Sequence, residues 1–137
     1  MPNELPAVLK RMLDLWNGAE VDPADVYVRG CATDGGASTF DPEEVVPVIA
    51  TFRSAFPDLL WRVEDWFAVG DRYVLRMTAT GTHTGEPFPS DIGTAQPGGH
   101  AIALRGIEVF EVANDRIIDV WLGWDFGALY AALGASL

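Results

Sequence analysis

The chain has 137 residues, 49% of them hydrophobic and 21% charged, which suits one domain, 1–137, around one core. Its net charge of −11 repels a nucleic-acid backbone and an anionic membrane surface, and no basic patch offsets it. No apolar run is long enough for a membrane span or a signal peptide, and the lone Cys31 rules out an internal disulfide, so the expected compartment is the cytoplasm.

Residues 4 to 16 follow helical spacing through Leu5, Val8, Leu9, Met12, Leu13 and Trp16. "NGAEVDPAD" stops this helix, "VYVRG" at 26 to 30 reads as a short extended piece, and "CATDGGAST" reads as loop. A second helix is predicted over 41 to 56, with Asp41 as cap, Pro42 at the first helical position, Glu43 and Glu44 in the first turn, and Pro57 as terminator. From Leu59 the hydrophobic period changes to two. Strands are predicted over "LLWRVEDWFAV" and "RYVLRMTATGTHTG", joined at Gly70 and Asp71. A Pro/Gly-rich loop at 86 to 99 follows. Two more strands, "HAIALRGIEVFEV" and "RIIDVWLGW", turn at "AND", and a short helix closes the chain over 125 to 133. Helices followed by a meander of long strands define an α+β domain. A strongly curved sheet wrapped around a helix makes a cone whose open end is a concave, largely apolar cavity.

The stretch "WLGWDFGALY" places one carboxylate, Asp125, among aromatic residues. Two readings stand. Asp125 is the N-cap of the last helix, or it is an acid/base whose pKa is raised by apolar walls. His83, beside Gly and Thr at a strand end, is either a hydrogen-bonded structural residue or a partner that shares protons with Asp125. Arg105 shares a strand face with Ala101, Ala103, Ile107 and Val109. If that face is the cavity, Arg105 pairs with Asp125 or binds an enolate. If it is the outer face, Arg105 makes a surface or dimer salt bridge. Trp61, Trp66, Phe88, Trp121 and Trp124 are candidate cavity walls or plain core, and Tyr27 is a candidate oxyanion donor. His83 and His100 have no metal-binding spacing, Cys31 lacks a histidine signature, and no phosphate-binding glycine motif is present, so neither metal nor cofactor is expected.

"AFPDLLWRVED", "VGDRYVLRMTATGTHTGEPF" and "GIEVFEVANDRIIDVWLGWD" with "LYAALG" resemble the SnoaL-like polyketide cyclases of the nuclear transport factor 2-like superfamily. The resemblance runs from the first helix to residue 134. It implies a cone-shaped, curved antiparallel or mixed sheet wrapped around N-terminal helices, and a homodimer through the sheet. It implies a cofactor-free enzyme of secondary metabolism that closes rings by an aldol-type reaction on an apolar, aromatic polyketide-like substrate. The family's "W…D" stretch lands on Trp121 and Asp125, making Asp125 the acid/base, and its "GTHTG" segment brings His83. Two departures bear on the chemistry. The turn after His83 is the longer "FPSDIGTAQPGG". Arg105 is followed two residues on by Ile107, where epoxide-opening relatives carry an aspartate. Because the superfamily is functionally mixed, an isomerase, a dehydratase, an epoxide-opening enzyme and a non-catalytic ligand-binding or accessory module are the alternatives.

Overall fold

A computed structural model describes residues 4–90 and 93–134. Helix α1 (Ala7–Trp16) starts after Pro6 and buries Val8, Leu9, Met12 and Leu15 on one face. The extended piece is longer than its local sequence suggests. Strand β1 (Tyr27–Thr33) continues through Cys31, turns at Asp34–Gly36 and returns as the short β2 (Ser38–Phe40). The reason lies far away in the chain: Ala32 and Thr33 pair in parallel with Asp119 and Val120. The predicted helix at 41 to 56 divides into a tight turn, Pro42–Glu44, and α2 (Val45–Ala55). Asp41 and Glu44 form a reciprocal capping box at its entry, with the Asp41 N–H donating to Glu44 Oε2 at 2.7 Å.

Strands β3 (Leu60–Val69), β4 (Arg72–Thr82), β5 (Ala101–Ala113) and β6 (Arg116–Trp124) form the antiparallel meander, and α3 (Phe126–Ala132) follows directly. Gly70 at φ 60° turns β3 into β4. Asn114 and Asp115, at φ 50° and 58°, turn β5 into β6, which is the double positive φ of a type I′ hairpin. The six-stranded sheet runs β2-β1-β6-β5-β4-β3 and stays open, with β1–β6 its parallel pair. It curls so that one face meets the helices. Leu75, Met77, Ala79, Ile102, Leu104 and Phe110 are buried on that concave face with Val8, Leu9 and Phe56.

One side chain fixes how α1 meets the sheet. Asn17 receives the Trp61 N–H at 2.8 Å and donates to the Trp61 carbonyl at 3.0 Å, so it stands in for a neighbouring strand at the edge of β3. Trp16 and Trp61 are thereby held edge to face, with ring centroids 5.8 Å apart. No helix among the described residues is long and apolar enough to cross a membrane.

Candidate active site

Between the helices and the concave face lies a cavity of about 320 Å³. Its wall is apolar and rich in aromatic rings. Trp16, Phe52, Trp61 and Trp124 interlock, the last two with ring centroids 5.1 Å apart, and Tyr27 packs edge to face on Phe40. Leu122, Val48 and Phe126 are exposed where they line it, at 59%, 46% and 39%, and mark its opening.

Few polar groups face this space. Glu108 on β5 is the carboxylic acid on its floor among the described residues. Register explains the placement. Phe110 pairs with Val120, Glu108 with Leu122 and Gly106 with Trp124, so these six residues of β5 and β6 look inward together. The Trp124 indole N–H donates to Glu108 Oε1 at 3.2 Å. Burial pushes the Glu108 carboxyl up to about 7, against an opposing pull from that hydrogen bond. Tyr27 on β1 is the second polar group. Its hydroxyl oxygen receives the Trp16 indole N–H at 2.9 Å, which leaves its own proton to donate. Burial holds its phenol well above the usual tyrosine range, so it stays protonated. Glu44 also borders the cavity, but its carboxylate is engaged with the Asp41 N–H. Among the described residues, no Lys, Arg or His lines the space.

The residues singled out from the sequence are dispersed. Trp61 and Trp124, two of the candidate walls, and Tyr27, the candidate oxyanion donor, line the cavity. His83 does not. It is fully buried beside Phe56, with Nε2 2.9 Å from the Glu86 carbonyl, and its backbone brackets His100 and Gly99. The ring thus holds the Glu86 carbonyl and does not reach the cavity. Asp125 is exposed and outside the cavity. Its carboxylate receives the Ala128 N–H at 2.9 Å as the N-cap of α3. Trp121 and Arg105 occupy the outer face too, because they alternate with the inward-facing Val120, Leu122, Leu104 and Gly106. Arg105 borders a shallow outer depression with Arg76, Glu64 and Asp125, and Trp121 lies under the Arg72 guanidinium at 5.3 Å. Trp66 packs on Tyr73 outside the cavity lining. Phe88 sits one ring behind the wall, against Phe52 and Phe56.

The family model of the SnoaL-like polyketide cyclases matches residues 7–133. The chain belongs to that family. Solved structures agree on the fold. The chain is similar to TsrD from Streptomyces laurentii, with TM-score 0.75 and 23% identity, covering 96% of this chain and 99% of that one. It is similar to AclR from Streptomyces galilaeus, with TM-score 0.74 and 23% identity over 93% of this chain and 79% of that one. A SnoaL-like polyketide cyclase from Agrobacterium tumefaciens gives TM-score 0.68 and 17% identity over 93% and 95% of the two chains. No curated protein matches the sequence.

In this SnoaL-like chain the residue that sequence reasoning passed over is Glu108. Its signal was present. Ile102, Leu104, Gly106, Glu108, Phe110 and Val112 share one strand parity, and Glu108 is the single charge on that apolar stripe. A carboxylate in such a row is either at a cavity or unsatisfied.

Proposed function

We propose that the chain is a cofactor-free cyclase of secondary metabolism in which Glu108, with the Tyr27 hydroxyl, performs aldol-type ring closure on a polyketide-like substrate. The observation that carries this reading is Glu108: a carboxyl group pushed up to about 7, on the floor of an apolar cavity. At that value both protonation states are populated near neutral pH, which suits a group that must accept and return one proton. Intramolecular aldol closure needs that and little else. The carboxylate of Glu108 takes a proton from a carbon acidified by flanking carbonyls. The new carbon–carbon bond forms as the resulting acid gives the proton to the accepting carbonyl oxygen. The proton count is unchanged, so the carboxylate is regenerated. The Tyr27 hydroxyl donates to the enolate oxygen, and the aromatic wall orients the chain and keeps water away.

Relocating the proton within an enone needs the same two groups, so product identity separates ring closure from isomerisation. The test is turnover of a linear polyketone ester whose cyclised product is followed by chromatography. Glu108→Gln is expected to lower the rate at least about 100-fold while binding persists. Asp125→Asn is expected to stay within a few-fold of wild type. Equal rates for wild type and Glu108→Gln would overturn the proposal.

A homodimer through the outer sheet face, working in the cytoplasm, completes it. Support comes from Phe67, Val69 and Ile107, exposed at 54%, 68% and 52% on this face. Arg76, Arg105 and Asp125 have no ion pair among the described residues and border the same depression. A two-fold axis there sets the arginines of one copy against the carboxylates of the other.

A further inference from the structure

Glu108 depends on a neighbour that only a glycine permits. Trp124 and Gly106 are directly paired across β6 and β5. A Cβ built on Gly106 would overlap the Trp124 indole, coming within 2.6 Å of Cε3 and nearer still to Cδ2. The indole therefore lies flat across the β5 backbone, in the space a side chain at 106 would fill. From there its Nε1–H reaches Glu108, two residues along the same strand face, at 3.2 Å. The same ring meets Trp61 edge to face at 5.1 Å, so it is held from the other side as well.

We propose that Trp124 is a positioning residue for Glu108, seated by the missing side chain of Gly106, and that its indole N–H fixes the direction and the ionisation of the Glu108 carboxyl. This inference rests on the catalytic reading of Glu108 and deepens it. Removing the indole N–H takes away a donor that stabilises the carboxylate, so Glu108 holds its proton to higher pH. The other titratable groups facing Glu108 are few. Tyr27 comes from β1 and Glu44 from the turn before α2; α1, α2, β3, β4, β6 and α3 contribute no charged side chain to the cavity. Tyr27 stays protonated. Trp124 is thus the adjustable hydrogen-bond donor with a direct hold on this carboxyl.

The experiment is a pH titration of the Glu108 side-chain carboxyl carbon by NMR, assigned with Glu108→Gln, in wild type, Trp124→Phe and Gly106→Ala. Trp124→Phe keeps the aromatic wall without the donor, and Gly106→Ala displaces the indole while keeping it in the chain. Both variants are expected to titrate about half a unit to one unit above wild type, a roughly three- to tenfold change in ionisation. The direction is decisive, because a wall merely loosened to water would move the midpoint down. Near-UV circular dichroism checks folding, and if one variant does not fold the other carries the test. Unchanged or lowered midpoints in the folded variants would overturn the positioning role. A wild-type midpoint in the ordinary glutamate range would instead overturn the reading of Glu108 on which it rests.

Discussion

A buried carboxyl group leaves a thermodynamic trace that needs no substrate. Burial pushes the Glu108 carboxyl up to about 7 in the folded protein, from the ordinary glutamate value of 4.5 that applies when the chain is unfolded. Below pH 4.5 both states hold the proton and the group is neutral to stability. Between these values the unfolded chain releases its proton while the folded one keeps it, so stability falls as pH rises. Above pH 7 the loss levels off at no more than about 3 kcal/mol, and water entering the cavity reduces it. Glu108→Gln is therefore expected to match wild type in urea unfolding at pH 4 and to exceed it at pH 8. Asp125 behaves as a capping residue at this scale. Asp125→Ala removes the acceptor for the Ala128 N–H and is expected to cost about 1 kcal/mol of stability at neutral pH, read from the same unfolding curves. The sequence shows the cap and the carboxylate of Asp125 equally plainly. What it hides is which side of the sheet Asp125 faces: the carboxylate caps the helix beside the outer depression and is absent from the cavity wall.

Elements position the site through a few cross-links. Asn17, just past α1, satisfies both backbone groups of Trp61 and so ties the helix to the edge of β3. Asn17→Ala leaves an N–H and a carbonyl without their partner in a half-buried setting. A loss of about 1–3 kcal/mol is expected by thermal or urea unfolding, together with a change in tryptophan fluorescence from Trp16 and Trp61. Elements set by local pattern were readable from the chain: the helical spacing before Trp16, the turn at Gly70, and the Asn114–Asp115 hairpin. β1 was readable only in its first residues. Its continuation through Cys31 to Thr33 is fixed by parallel pairing with β6, some ninety residues away, and the strand segment itself carries no sign of it. The parity of β5 was readable in principle. Arg105 on one face and Glu108 on the other compete for notice, and without knowing which face meets the helices the charge on the apolar stripe loses to the aromatic setting of Asp125.

At the scale of the whole molecule the fold presents two faces with different tasks. The concave one encloses a cavity that, among the described residues, has no cationic side chain and presents Glu108 and Tyr27. The convex one carries exposed apolar residues and arginines without ion-pair partners among the described residues. Family membership accounts for the shared cone and leaves the chemistry to the particular residues inside it. If copies pair through the convex face, Ile107→Glu and Phe67→Glu are expected to shift the sedimentation coefficient from dimer to monomer without unfolding the chain. Monomeric wild type would exclude that assembly.

The central claim is that proton transfer belongs to the cavity floor, at Glu108. It is tested most directly by following the Glu108 carboxyl carbon of the wild-type protein by NMR from pH 3 to pH 10. The account predicts a single midpoint near 7. A midpoint near the unperturbed ~4.3 would place an ordinary solvated carboxylate there and contradict it.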